Sequence, residues 1–293
     1  MRHCNKNHRS NRKKSCFKRL VSKKICNFAP MKQAMIFAAG LGTRLKPLTD
    51  TMPKALVRVD GQPLIDIVIS RLLAAEYDHF VVNIHHFAQQ IKDYVSIRDY
   101  APMVQFSDET AQLLETGGGL KKAAPLFDTE SPILIHNVDI LDNVDYDWFS
   151  RQHLPEEDAV LLVSKRKTKR YLLFDNAMRL MCWKNIETGE VKSPFPWLRE
   201  AEITIDDNLN VITSNLKSQI SNLNAFAFSG IHSFSPRLFS LMEQFPERFP
   251  IIDFYLSICH RAHIVGCIKN DLRLMDVGKL DTLDQAENFI KSL

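Results

Sequence analysis

A glycine-rich loop directly after an apolar run is the segment of this chain best suited to chemistry. Met35–Ala39 is short and apolar enough to be a buried strand, and Gly40 and Gly42 follow at once. A strand that leads into such a loop presents backbone N–H groups, which can bind an anion such as a phosphate. Arg44 and Lys54 add two cationic side chains to the same stretch. The segment therefore predicts an anion-binding site.

This loop matches neither of the two commonest phosphate-binding sequences. A Walker loop requires Lys-Ser or Lys-Thr directly after its last glycine, whereas Thr43 and Arg44 follow Gly42. A dinucleotide fingerprint requires a third glycine three residues after Gly42, where Leu45 stands. For so short a glycine pattern, the alternative is a strand that ends in a tight turn with incidental basic residues.

A carboxylate follows a second apolar run. Ile133–His136 has the composition of a buried strand, and Asn137, Val138 and Asp139 come directly after it. Ligands of open α/β sheets bind outside the carboxyl ends of the strands. A carboxylate at that place can hold Mg²⁺ against phosphate oxygens. His136 can support such a site or can be a core histidine, and the sequence leaves both open.

A third candidate segment contains three consecutive glycines, at positions 117 to 119. They precede a predicted helix and follow Glu115 and Thr116. A backbone without side chains can lie close to a flat ligand or a phosphate. A flexible turn is the alternative. Asp108 and Glu109 lie just upstream.

Alternating strand and helix patterns must position these residues. Up to about Phe149 the alternation is typical of a parallel α/β sheet. The elements predicted there include strands at Phe80–Ile84 and Met103–Phe106 and helices at Leu64–Leu73 and Gln89–Tyr94. Later strands are predicted at Ala159–Val163 and Asn224–Phe228, and a strand that delivers Asp276 precedes a final helix from Leu280 to Ile290.

Composition places the chain among ordinary globular proteins. It has 293 residues, of which 45% are apolar and 25% are charged. No apolar run approaches the length needed to cross a bilayer. The six cysteines form no C-x-x-C pair, which favours a reduced, cytoplasmic set over a disulfide framework or a zinc site.

The net charge of +4 is unevenly distributed. Residues 1–30 contain ten Lys or Arg and no acid, so the rest of the chain has 28 basic and 34 acidic residues. The basic tail could be a nucleic-acid arm, a membrane-surface arm or a transit-like segment. We predict instead that it is disordered, with a natural start at Met31, and we expect neither a nucleic acid nor a membrane as a partner.

Five strings in residues 32–293 resemble those of the sugar nucleotidyltransferases. The first and most specific runs from Gly40 to Lys54 and follows G-x-G-T-R-x-x-P-x-T and then P-K. The others are L-E-T-G-G-G at 114–119, N-V-D at 137–139, F-S-G-I-H at 228–232 and D-V-G at 276–278. The closest subfamilies are the N-acetylmuramate-1-phosphate uridylyltransferases and the mannose-1-phosphate guanylyltransferase-like bacterial enzymes.

This resemblance implies a three-layer α/β/α fold with a mixed, mostly parallel, Rossmann-like sheet. We expect a nucleotide-binding half at residues 31–158 and an acceptor-binding half at 159–293. The latter includes a basic run at 164–170 that lines an anionic sugar-phosphate pocket or faces solvent. The oligomeric state is left open, and the protein is expected to be a monomer or a small homo-oligomer.

The resemblance also implies a role for individual residues. Arg44 and Lys54 would be catalytic, and Asp139 and Asp276 would bind Mg²⁺. Asn137, Ser229 and Gly230 would contact the acceptor. The nucleotide-binding residues would be Ala38, Ala39, Gly40, Leu41, Gly42, Thr43, Glu115 and Gly118.

The implied reaction joins a nucleoside monophosphate from an NTP, with UTP favoured over GTP, to a sugar 1-phosphate. A rival hypothesis is a catalytically weak sensor of nucleotides or NDP-sugars on the same fold. Val138 and Lys279, which depart from the usual family residues, support the rival. The joint presence of Arg44, Lys54 and the two aspartates favours the enzyme.

Overall fold

The computed structural model describes residues 31–214 and 222–293. The prediction of a disordered tail at residues 1–30 lies outside the described residues. In chain order the strands are β1 (Gln33–Phe37), β2 (Arg58–Val59), β3 (Gln62–Pro63), β4 (His79–Ile84), β5 (Val104–Asp108), β6 (Ile133–Asn137), β7 (Ile140–Asp142), β8 (Ala159–Ser164), β9 (Arg170–Phe174), β10 (Leu180–Asn185), β11 (Val191–Lys192), β12 (Glu202–Ile205), β13 (Val211–Ser214), β14 (Asn224–Phe234), β15 (Ile264–Ile268) and β16 (Leu274–Asp276). The α-helices are α1 (Leu64–Ala74), α2 (Ala88–Ser96), α3 (Glu115–Ala123), α4 (Tyr146–Ser150), α5 (Pro196–Arg199), α6 (Phe239–Met242), α7 (Ile251–Ile258) and α8 (Leu283–Lys291).

A single large sheet organises these elements. Its order is β11-β10-β9-β14-β6-β1-β4-β5, and β8 pairs with both β14 and β15. Strands β6, β1, β4 and β5 of the first half are parallel, whereas β14 pairs antiparallel with β6, β8 and β9. The predicted mixed α/β sheet is confirmed, and its parallel part is concentrated in the first half. The division at residue 158 stays a prediction.

Helices cover both faces of the sheet, so both sides of its central strands are buried. Ile36 of β1 belongs to the same core cluster as Val68 of α1. Its neighbour Met35 points to the other face and shares a cluster with Leu120 of α3 and Phe254 of α7. Burial on both faces explains why β1 reads as a continuous apolar run rather than an alternating one. The predicted three layers are confirmed.

Strand β14 joins the two halves. Its C-terminal part, from His232 to Phe234, lies between β6 of the first half and β8 of the second. The register against β8 shifts between Phe228 and His232, which marks a bulge. A smaller cluster around Leu173, Leu198 and Ile203 packs the β9–β13 region.

Among the described residues, no helix is both long enough and apolar enough to cross a bilayer.

Candidate active site

The glycine-rich loop begins where β1 ends and is fixed at its base by a buried asparagine. The side-chain oxygen of Asn83 accepts the amide N–H groups of Ala38 at 2.7 Å and Ala39 at 3.3 Å. Within the described residues, the amides of Gly40, Leu41 and Gly42 donate to no protein acceptor. These three N–H groups can therefore serve an external anion.

Gly42 sits in a conformation that favours glycine. Its φ of 62° is left-handed, and a Cβ there would lie 2.8 Å from Cγ2 of Thr49 and 3.2 Å from Cβ of Lys54. Its carbonyl accepts the Thr49 hydroxyl at 2.8 Å and the Leu45 amide at 2.8 Å. The loop is thus held tightly on the segment that carries Lys54.

Lys54 is brought against a carboxylate that lies far away in the sequence. The lysine is only 8% exposed, and its Nζ forms an ion pair with Oδ2 of Asp139. Asp139 follows β6, which is the parallel neighbour of β1. The carboxyl ends of the two strands therefore place the cation and the anion at one edge of the sheet.

The two predicted metal ligands are brought together by a small antiparallel pair, β16 with β7. Asp276 is paired with Ile140, and the amide of Val277 donates to the carbonyl of Asp139 at 2.8 Å. Burial, with the nearby negative charge of Asp139, raises the pKa of Asp276. Nη2 of Arg44 lies 3.8 Å from Oδ2 of Asp276.

Gly278 lies directly beside this pair. A Cβ on Gly278 would lie 2.6 Å from Oδ1 of Asp276 and 2.8 Å from Nη2 of Arg44. The backbone of the turn after β16 therefore lies close to the Asp276 carboxylate and the Arg44 guanidinium.

The donor set suits Mg²⁺. The carboxylates of Asp139 and Asp276 are hard oxygen ligands, and Mg²⁺ in proteins is commonly held by one or two carboxylates together with substrate phosphates. The described residues include no cluster of three or more His, Cys, Asp or Glu that could hold a metal without such phosphates. The metal roles of both aspartates stay a prediction.

A cavity of about 450 Å³ opens over the loop. Its lining includes every predicted loop residue from Ala38 to Thr43, together with Arg44, Lys54, Asp139 and Gly278. The lining also contains Glu109, which is fully buried and accepts hydrogen bonds from Asn83 at 2.7 Å and from the Leu114 amide at 3.1 Å. Glu115 also lines this cavity, with a positive φ of 62° and an ion pair to Arg248 at 2.9 Å.

The structure places Gly118 elsewhere. The three glycines do not precede a helix but lie within α3, and Gly118 is absent from the lining of this cavity. The amides of Gly117 and Gly118 both donate to the carbonyl of Phe249, at 2.9 and 3.1 Å. A Cβ on Gly118 would lie 2.0 Å from the carbonyl oxygen of Glu247. This backbone packs closely against residues 247–249, and the contact of Gly118 with a nucleoside stays a prediction.

A second cavity, of about 490 Å³, adjoins the first. It is lined by all three predicted acceptor residues, Asn137, Ser229 and Gly230, and by Asp276. Ser229 and Gly230 lie in the bulge of β14, where Gly230 has φ of 84° and its Cβ would lie 3.0 Å from Nδ2 of Asn137. The two cavities share Phe37, Thr116 and Asn137.

Sequence reasoning missed functional candidates in both cavities. Asn83 was included only as part of a strand, although asparagine is uncommon inside strands and its polarity was a usable signal. Arg166 and His232 line the second cavity. Arg166 lies in the basic run, and its Nη2 donates to the carbonyl of Phe228 at 2.8 Å. Burial lowers the pKa of Arg166 from its usual value.

Comparison with known proteins gives a family match in the first part of the chain. Residues 33–171 match the nucleotidyl transferase family model. Through this region, the chain is similar to the nucleotidyltransferases. The matched residues include β1, the glycine-rich loop, Lys54 and the turn with Asp139, whereas Asp276 and the β14 bulge lie beyond them.

Two relatives of this chain are named N-acetylmuramate alpha-1-phosphate uridylyltransferase. The protein of Caulobacter vibrioides is 48% identical over 111 residues, and that of Neisseria meningitidis serogroup B is 41% identical over 115 residues. These alignments cover 37% and 39% of this chain. They span 46% and 49% of the relatives, so the chain matches about half the length of each.

Solved structures extend the likeness to nearly the whole chain, at the level of the fold. A UDP-glucose pyrophosphorylase in complex with UDP-glucose superposes with a TM-score of 0.63 and is 14% identical. The match covers 89% of this chain and 99% of the other.

Proposed function

We propose that this protein transfers a nucleoside monophosphate from an NTP to a sugar 1-phosphate, giving an NDP-sugar and pyrophosphate. One observation carries the proposal. Two cavities meet at Phe37, Thr116 and Asn137, and the paired carboxylates lie at their junction, with Asp139 lining one and Asp276 the other. A nucleotide and an acceptor in adjoining cavities can present their phosphates to each other there.

The glycine-rich loop supports the role of nucleotide site. The amides from Gly40 to Thr43 and the guanidinium of Arg44 would hold the β- and γ-phosphates, because unpaired N–H groups and a cation converge on that wall. Lys54 would lie between the α-phosphate and the acceptor phosphate. Its present partner, Asp139, keeps the ammonium group at the junction.

The bond changes require no protein nucleophile. An oxygen of the sugar 1-phosphate forms a bond to the α-phosphorus of the NTP, and the bond from that phosphorus to the bridging oxygen of the β-phosphate breaks. The leaving group is pyrophosphate. Since the attacking oxygen is already anionic, the chain contributes positioning and charge neutralisation.

Asp139 and Asp276 would hold Mg²⁺ through their carboxylates. When bound, the ion polarises the α-phosphate and screens the two anions from each other. Arg44 and Lys54 would orient the carboxylates and release them to the ion when phosphates arrive.

UTP is the proposed donor and GTP the alternative. The two relatives from Caulobacter and Neisseria are named as uridylyltransferases, and their identity of 48% and 41% supports the same base. Most of this chain lies outside those alignments. We therefore propose N-acetylmuramate α-1-phosphate as only one of several candidate acceptors.

The test is pyrophosphate release by the full chain with Mg²⁺, each of UTP, GTP, CTP and dTTP, and a panel of sugar 1-phosphates. We expect release with one donor and acceptor pair, and formation of the matching NDP-sugar by mass spectrometry. Nucleotide binding without release across the panel would favour the sensor hypothesis. An absence of both would refute the nucleotide site itself.

A further inference from the structure

A buried histidine in the second cavity has no hydrogen-bond partner in the part of the chain that the structure describes. His232 lies in β14 just after the bulge and is 2% exposed. Among the described residues, neither its Nδ1 nor its Nε2 has a partner. The ring packs against Phe228 and Tyr255, with centroid distances of 5.5 and 5.6 Å. Aromatic rings therefore hold the imidazole in place, while its polar atoms stay unused.

Such an arrangement needs an explanation. Most buried polar side-chain atoms in proteins have at least one partner, and two orphaned atoms on one ring are unusual. His232 lines the second cavity together with Ser229 and Gly230, so it borders the space that a bound molecule would fill. A ligand group is thus a candidate for the missing partner.

The chemistry of that partner follows from the state of the ring. Burial lowers the pKa of His232 to about 3, so the imidazole is neutral, with one nitrogen as donor and the other as acceptor. A neutral ring of this kind matches a hydroxyl or an amide rather than a phosphate. The cation that lines the same cavity is Arg166, a separate group.

We propose that His232 binds the acceptor by a hydrogen bond to a hydroxyl or amide group of its sugar ring. The inference rests on the proposed function and adds a residue that selects the acceptor. A sugar without that polar substituent would leave the buried imidazole unpaired and would be rejected.

The test replaces the ring without removing its packing. His232→Phe keeps an aromatic side chain and eliminates two orphaned nitrogens, so we expect a melting temperature equal to or above that of the wild type. We expect KM for the acceptor to rise roughly 10- to 100-fold, because the sugar group then lacks its partner. KM for the NTP should not change.

Tyr255→Phe is the matched control. The Tyr255 hydroxyl is likewise buried without a partner in the same aromatic group, but Tyr255 does not line the cavity. We expect this variant to keep the wild-type KM for the acceptor. An equal rise of KM in both variants would overturn the proposal, since it would point to a general disturbance of the packing.

Acceptors that lack one hydroxyl or the amide complete the test. For the analogue without the contacted group, wild type and His232→Phe should have the same kcat/KM, whereas for the other analogues the variant should remain impaired. If His232→Phe has the wild-type KM for every acceptor, the inference about His232 is wrong, but the proposed transferase function is unaffected. If the wild type turns over no acceptor with any NTP, the proposed function fails instead.

Discussion

The amide of Val277 donates a 2.8 Å hydrogen bond to the backbone carbonyl of Asp139. This bond ties the end of β16 to the turn after β6, and it uses no side chain. The two carboxylates, on Asp139 and Asp276, are therefore held together by backbone contacts that survive a change in either side chain.

For that reason, Asp139→Asn should keep the fold and lose turnover. We expect kcat to fall by roughly 100- to 1000-fold, as when other electrostatic groups are removed from active sites. The dissociation constant for the NTP should change only a few-fold, because the loop amides and Arg44 remain. Pyrophosphate release and calorimetric titration measure the two effects, with the exposed Asp281→Asn as control. Wild-type activity of Asp139→Asn would remove Asp139 from the mechanism.

Two glycines of the same loop should differ in their effect on stability. Gly42→Ala forces a side chain into a left-handed conformation and against Thr49, and we expect it to cost about 1–3 kcal/mol in the free energy of unfolding. A Cβ on Gly40 meets no atom within 4 Å, so Gly40→Ala should stay within about 0.5 kcal/mol of the wild type. Urea unfolding curves provide both values. Equal destabilisation by the two substitutions would contradict the described loop.

Gly118→Ala tests where the triple glycine acts. Since its Cβ would collide with the Glu247 carbonyl, we expect a loss of about 1–3 kcal/mol in stability from overpacking. Nucleotide affinity of the folded protein should be unchanged, because Gly118 lies outside the lining of the first cavity. Thermal melting measures the stability of variant and wild type, and nucleotide titration measures their affinity. An unchanged melting temperature together with weaker nucleotide binding would support the contact between Gly118 and the nucleoside that the resemblance implies.

A buried ion network behind the site predicts a pH effect. Asp142 is fully buried and accepts from His136 at 3.1 Å, from the Tyr146 hydroxyl at 2.9 Å and from Arg71 at 2.9 Å. Burial alone would raise the pKa of Asp142, but the hydrogen bond and charge of His136, and the charge of Arg71, lower it. The stabilisation is therefore complete above the ordinary aspartate pKa, near about 4, and is lost as pH falls below it.

Asp142→Asn should reveal this contribution. At pH 7 we expect a loss of about 3 kcal/mol, because Arg71 is left half-buried without its counterion. The difference between variant and wild type should shrink as the pH is lowered from 5 to 3. Urea unfolding at each pH measures it, with the exposed Asp99→Asn as control. A difference that is constant over this range would show that the charge of Asp142 is not what stabilises the fold.

Local sequence patterns were sufficient for most of the fold. The apolar run before Gly40 and the one before Asn137 became neighbouring parallel strands, because alternation with helices leaves few other arrangements. The meeting of Asp139 and Asp276 could be expected only from the family resemblance. Spacing along the chain contains no information about which distant strands pair.

The features that the sequence did not predict have physical causes. Gly117 to Gly119 belong to a helix, against their weak helix propensity, because only glycine lets α3 approach residues 247–249 so closely. The only local signal at Asn83 is a polar residue inside a strand, since its partners, the amides of Ala38 and Ala39 and the Glu109 carboxylate, come from other elements. The surroundings of His232 likewise depend in part on a distant segment, since Phe228 lies in the same strand but Tyr255 belongs to α7.

Strand β14 has a further consequence, which concerns motion. Hydrogen bonds between backbones link β14 to β6 on one side and to β8 on the other. The halves of the protein therefore cannot move apart as two rigid bodies unless this pairing breaks. Any closure over the substrates must then come from surface loops, such as the segment between β1 and β2. The entry and exit of a ligand would then depend on small loop displacements while the sheet stays rigid.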